Sequence, residues 1–180
     1  DDGEWQSYGS VQSITLELDE GWHTIYVKGY DPAGNYMTDS IKVCIDLTAP
    51  DLTITSPTYG EVIGSSAVEI TWSGRDMLSS IDYYMVKIDE EQWITTNATS
   101  VRYSRLSEGQ HTVYIRAYNK AGLSTERSVI FIVDLTPPSL EILSPENGSI
   151  IEGDSIGISW SYWDNCGIDH VEIQLDDNPW

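Results

Sequence analysis

Apolar and polar residues alternate one for one through much of this chain, in short runs. In Val68-Glu69-Ile70-Thr71-Trp72 the apolar side chains fall on every second position, and Tyr84, Val86 and Ile88 do the same. A β-strand turns successive side chains to opposite faces, so this alternation marks strands with one buried and one wet face. Gly, Pro, Asn and Asp separate the runs, and no stretch sustains a helical period. Between residues 48 and 135 the pattern predicts seven strands, near 51–55, 67–73, 81–88, 92–96, 101–106, 111–118 and 126–133. Short antiparallel strands with turn signals at roughly eight-to-twelve-residue intervals describe a two-sheet sandwich.

The chain also repeats itself. Glu20-Gly21-Trp22-His23-Thr24 returns as Glu108-Gly109-Gln110-His111-Thr112, and Ile45-Asp46-Leu47-Thr48-Ala49-Pro50 as Val133-Asp134-Leu135-Thr136-Pro137-Pro138. Each pair lies 88 residues apart, without a gap until the loop after Asp76 and Asp164, where the later copy is one residue shorter. A period of this length suits one small autonomous domain rather than a solenoid turn. It divides the chain into the back half of one unit at 1–47, a whole unit at 48–135 and the front half of a third at 136–180. Half a sandwich exposes strand edges and half a core. The expectation is therefore a slice of a longer array, or halves that complement each other between chains in a head-to-tail polymer.

The run from His111 to Ser124, with Val113, Ile115 and Ala117 in alternation before an Asn119-Lys120-Ala121-Gly122 turn, resembles the sixth strand and following turn of a fibronectin type III domain. Trp72 and Trp160, on the second strand of their units, are similar to that family's core Trp. The linkers at 46–50 and 134–138, the Gly-x-His-Thr motif at 21–24 and 109–112, and the Asp31-Pro32-Ala33-Gly34-Asn35 turn resemble still more the Ig-like repeats of bacterial and archaeal cell-surface proteins. The resemblance implies an all-β chain of tandem seven-stranded Ig-like sandwiches arranged end to end, outside the cell. His23 and His111 stand where the fibronectin pattern usually carries Tyr, a departure that puts the tyrosine-corner hydrogen bond in question. Sandwiches of this kind host many unrelated roles, so the likeness bears on fold before function.

Charge narrows the partners. Acidic side chains number 29 against 9 Lys and Arg, a formal net charge of −20. The last 45 residues hold nine acidic side chains and no Lys or Arg. Such a chain repels nucleic acid and anionic lipid, and neither is an expected partner. No apolar run approaches a membrane span, so direct insertion by this segment is not expected. Cys44 and Cys166 fall in different part-domains without zinc or redox spacing, and are expected as unpaired thiols or, less simply, as one intermolecular bond. Alternation turns Cys44 away from the core.

The linkers carry no Gly/Ser spacer. Proline restricts its own backbone and that of the residue before it, so successive units are expected at a narrow range of angles, a semi-rigid rod of roughly 35–40 Å per unit. In this topology Asp46 and Asp134 of the linkers approach Asp76 and Asp164 of the following loops, with Asp1, Asp2, Glu4, Asp19 and Glu20 nearby. Calcium takes about six to eight oxygen ligands and would relieve their repulsion. Asp46, Asp76, Asp134 and Asp164 are thus candidate calcium ligands, with solvated acidic loops as the ordinary alternative. Asn97-Ala98-Thr99 and Asn147-Gly148-Ser149 fit the N-glycosylation pattern in expected turns.

Nothing assembles a catalytic set. His23 and His111 are one structural position in two repeats, and His170 beside Asp169 has no nucleophile at a spacing that completes a triad. Trp72 and Trp160 read as core, whereas Trp5, Trp93 and Trp180 each follow an acidic turn and are expected to cover a sheet face or edge. Exposed aromatics can also stack on sugar rings. The expected role is a non-catalytic extracellular structural repeat, a stalk, filament or surface-layer segment of a prokaryotic cell, with neighbouring copies of the repeat as partners. The alternative is an adhesin-type binding module for glycan or a surface protein, and a third is an accessory domain of an enzyme. A binder should vary its loops between repeats, and the identity of Asp46 with Asp134, Thr48 with Thr136 and Pro50 with Pro138 favours the spacer.

Overall fold

The computed structural model describes residues 3–176 and is all-β, with no helix among them. Twelve strands follow in order: β1 (Gly21–Tyr30), β2 (Tyr36–Ile45), β3 (Asp51–Ser56), β4 (Val62–Ile63), β5 (Val68–Arg75), β6 (Ile81–Ile88), β7 (Ile94–Thr96), β8 (Ser100–Tyr103), β9 (Gly109–Asn119), β10 (Ser124–Val133), β11 (Ser139–Ser144) and β12 (Ser159–Trp163). From β3 to β10 they form two sheets, β3-β5-β8 and β4-β10-β9-β6-β7. The alternating positions meet between them. Leu52, Val68, Ile70, Trp72 and Tyr103 of the first sheet and Tyr84, Val86, Ile88, Val113, Ile115, Ala117, Phe131 and Val133 of the second make one buried cluster. Trp72 stands edge-on to Tyr84 at 5.7 Å between ring centroids, the arrangement aromatic quadrupoles prefer.

Each of the seven expected strands overlaps an observed one, but the sandwich has eight, and they are not all antiparallel. After the bulge between Ile54 and Ser56 and the cis Ser56-Pro57 bond, the chain leaves the first sheet, and β4 pairs parallel with β10 in the second. Two residues are too few to show a period, which is why the pattern missed it. The expected strand at 101–106 ends early, because Arg105 takes a positive φ of 64° and Leu106 N–H turns to the Ser66 carbonyl.

Outside this sandwich lie two hairpins. β1 pairs with β2 from Gly21↔Ile45 to Tyr30↔Tyr36, the register of β9 with β10 shifted by 88 residues. β11 pairs with β12 in the register of β3 with β5, including the bulge and the cis bond at Ser144-Pro145. Equal sequence has taken equal pairing.

Candidate functional site

The chemistry gathers where the linkers meet the sandwich. β9 turns every second residue inward, so Asn119 falls in line behind Val113, Ile115 and Ala117 and is buried like them. Its Oδ1 accepts Leu123 N–H at 2.8 Å, which orients the amide. Nδ2 then faces three oxygens, each at 3.0 Å: Asp46 Oδ2, the Thr48 carbonyl and Asp76 Oδ2. One amide nitrogen thus joins the last residue before the linker, the linker backbone and the loop after β5. An NH2 group has two hydrogens for these three acceptors.

Both carboxylates have further donors. Asp76 Oδ1 accepts the backbone N–H groups of Leu78, Ser79 and Ser80, a tight turn that places Ser80 at φ 66°. Burial pushes the Asp76 carboxyl up, but Asn119 and these N–H groups outweigh it and hold its pKa below the ordinary 3.8. Asp46 is buried, and its Oδ1 accepts Thr48 N–H at 3.1 Å. Glu20 joins them on the wall of an open cleft shared with Asp51, Arg75 and Met77, and accepts Leu47 N–H. Asp19 and Glu4 do not line this cleft, and Asp1 and Asp2 lie outside the described residues.

At the second linker Asp134 takes the place of Asp46, and its Oδ1 accepts Thr136 N–H. Glu108, matched to Glu20, accepts Thr136 Oγ1 at 2.7 Å and, across the junction, Asn165 Nδ2 at 2.7 Å. Asp134, Asp164 and Cys166 offer ligand atoms within 4.8 Å of one another. Burial, a hydrogen bond to Asp134 and the neighbouring carboxylates push the Cys166 thiol up, toward the neutral form. The four candidate metal ligands therefore fall into two pairs, Asp46 with Asp76 and Asp134 with Asp164. The first pair is bridged by an amide, and the second stands beside a thiol, a softer donor than calcium selects. Neither is an all-oxygen cage as it stands.

The remaining candidates have structural neighbours. His111 places Nδ1 2.7 Å from Asp89 Oδ2 and Nε2 2.9 Å from the Ser107 carbonyl. His23 makes the matching contact to the Asp19 carbonyl at 2.8 Å. With acceptors at both ring nitrogens, His111 favours the imidazolium: burial pushes its pKa down, but the Ser107 carbonyl and Asp89 raise it above 6.5. His170 bonds Asp169 in the open. Trp93 lies under Lys87 and Arg116, 5.4 and 5.0 Å from the cations, and Trp5 lies under Lys28 at 5.2 Å. Both Trp residues thus cover the outer sheet face through the same cation–π contact, while Trp180 lies outside the described residues. Asn97 and Asn147 are exposed in turns, and both cysteines are free.

Sequence reasoning missed Asn119, although a signal was there. A polar side chain on the inward phase of an apolar alternation must find partners.

No helix among the described residues is long and apolar enough to cross a membrane, which says nothing of strands. A comparison with curated protein sequences finds no match. Among solved structures, fibronectin(III)-like modules of Clostridium thermocellum CbhA are similar at 20% identity and a TM-score of 0.40, over 46% of this chain and 96% of that one. An engineered protein is similar at 17% identity and a TM-score of 0.38, over 48% of this chain and 20% of its own. Ig-like and fibronectin-like sandwiches serve as structural or binding modules and are typically non-catalytic. The family described as bacterial Ig domain matches residues 138–179, which, with the fibronectin-like likeness of the fold, supports the Ig-like resemblance.

Proposed function

We propose that this chain is a stretch of an extracellular array of Ig-like repeats, divided at 47/48 and 135/136, that spaces and bears load as a stalk, filament or surface-layer segment of a prokaryotic cell. The observation that carries the reading is the junction at Asn119. A spacer needs units that keep their angle, and here a buried amide ties Asp46 and Thr48 to Asp76. Pro50 is fully buried beside them, so the linker is packed rather than free. Thr136 and Asn165 on Glu108 tie the second junction in another way.

Two additions belong to the same reading. Calcium between Asp134 and Asp164, the pair without a bridging amide, would stiffen the second junction, with water and not the Cys166 thiol completing its oxygen ligands. Glycans on Asn97 and Asn147 would shield the rod, and intact mass of the protein from its source reads them directly.

The binding-module reading has its support in the aromatic face of β6, β7 and β9, where Tyr83 stacks on Tyr118 at 4.7 Å. Trp93, the residue best suited to a sugar ring, is already taken by Lys87 and Arg116.

Immunogold electron microscopy of source cells, with antibody against residues 48–135, tests the proposal. Label along filaments or over the envelope supports it, and label confined to the cytoplasm overturns it.

A further inference from the structure

We propose that the outer face of β6, β9 and β10 in the complete unit binds an acidic polysaccharide, with sugar rings against its tyrosines and carboxylates on Lys87 and Arg116. The proposal goes beyond the spacer reading, which needs no ligand.

Strand register defines the face. Residues opposite one another in paired strands share a side, so Tyr83 lies beside Tyr118, Lys87 beside Tyr114 and Arg116 beside Glu126. Their neighbours in the alternation, Val86, Val113, Ile115 and Ala117, point into the core, which turns this set outward. This unit has both of its sheets, so the face is what stays outside once the sandwich has closed. The outer face of β3, β5 and β8 is made differently, with Thr53, Thr71, Ser73 and the opposed pair Glu69 and Arg102, and it carries no aromatic ring.

Charge points to an anion. Acidic side chains outnumber Lys and Arg by 29 to 9 in the whole chain, yet Glu126 is the one acid on this face of β6, β9 and β10. Lys87 stands over Trp93 at 5.4 Å and over Tyr114 at 4.7 Å, and makes no ion pair among the described residues. The rings hold its ammonium in place without neutralising it. Arg116 lies over Trp93 as well and shares Glu126. Trp93 therefore seats the cations, and the tyrosines are left for a ligand. At an ionic strength of about 0.15 M the screening length is about 8 Å, so an anion against Lys87 and Arg116 feels them more than the net charge of the whole chain.

The rings decide which anion. Tyr83 and Tyr118 stack with centroids 4.7 Å apart and 16° between their planes, an apolar surface that ends in hydroxyls. A sugar acid offers a counterpart to each part of the face: a ring with C–H faces, hydroxyls and a carboxylate. An acidic peptide segment would leave the tyrosines unused. Repetition favours a polymer. Tyr26, Lys28 and Tyr30 stand 88 residues before Tyr114, Arg116 and Tyr118, and Lys28 lies over Trp5, which matches Trp93. A long ligand that engages the same triplet on successive units gains affinity beyond that of one site.

The test is affinity electrophoresis and calorimetric titration of the whole chain with polygalacturonate, in chelator at about 0.15 M salt. Dextran, poly-glutamate and oligo-dT serve as the neutral sugar, the acidic peptide and the nucleic-acid polymer. Polygalacturonate is expected to bind, and the other three are not. Lys87→Gln is expected to weaken binding about tenfold, and Tyr83→Thr to weaken it as well. Arg102→Gln, which removes one cation from the opposite sheet, is expected to leave it unchanged. Melts by circular dichroism check that each variant keeps the fold. A wild type that does not bind polygalacturonate overturns the proposal, as does a Lys87→Gln or Tyr83→Thr chain of full affinity. Equal binding of any other polymer, or an equal loss from Arg102→Gln, also overturns it, because the face would then not read a sugar acid. Cellular location, which decides the spacer reading, does not enter this result.

Discussion

Asn119 holds the junction with a neutral amide: its two Nδ2 hydrogens are shared among two carboxylates and a carbonyl. Replacing it by Ala leaves buried acceptors without a donor, and the cost is expected at about 1–3 kcal/mol in thermal or urea unfolding. Asn119→Asp is the sharper change. It brings a third carboxylate to Asp46 and Asp76, so the variant should melt lower in chelator and recover with calcium, while the Asp46–Asp76 junction of the wild type should not respond. A calcium response lost from the wild type on Asp76→Asn would contradict this account of the amide.

Titration separates two other side chains. The raised pKa of His111 stabilises the fold fully below 6.5, and this contribution is lost as pH rises through the folded value. Stability should therefore fall from mildly acid to mildly alkaline pH, and His111→Gln should flatten that slope. Tyr103 Oη is buried without a hydrogen-bond partner among the described residues, and burial pushes the phenol from 10 up to about 12. Its contribution is complete below pH 10 and is lost as pH rises toward 12, so Tyr103→Phe should remove that alkaline loss at little cost in neutral solution. The structural role of His111 was legible as a repeated position beside a strand start. The junction amide was not read, because its partners lie 43 to 73 residues away and only the closed sandwich brings them together.

At the scale of elements, the pairing of strands across the two sheets leaves one exchange between repeats. Gly74 on β5 has no room for a side chain: a Cβ there would sit 2.5 Å from Tyr84 Oη and 2.7 Å from its ring. In the third copy the matched residues are Tyr162 and, past the one-residue deletion, Val171, so the bulk has moved from one strand to its neighbour across the core. Gly74→Ala should destabilise by about 1–3 kcal/mol through overpacking. Tyr84→Val in the same chain should return part of that loss, as denaturant melts of the single and double variants would show. An additive double variant would mean that the two positions do not share space. The alternation made the inward positions of β5, β6 and β9 readable from sequence. β4 was not, because its pairing depends on where β10 ends rather than on its own two residues.

The core and the hairpins also differ as wholes. Ile115→Ala, in the closed sandwich, should cost about 2–5 kcal/mol, whereas Val27→Ala at the matched exposed position should cost well under 1 kcal/mol in the dilute single chain.

For the whole molecule, a spacing role depends on whether the junction holds an angle. The measurement that decides it is the distance distribution between spin labels at Ser40→Cys and Ser128→Cys, matched positions 88 residues apart and both exposed, in a chain also carrying Cys44→Ser and Cys166→Ser. One narrow peak, near the roughly 35–40 Å expected for a unit's length, that is unchanged by calcium and broadened by Asn119→Ala is the predicted result. A broad distribution in the Asn119 chain, or one that the alanine leaves unaltered, would contradict it, and the linker would then be a hinge.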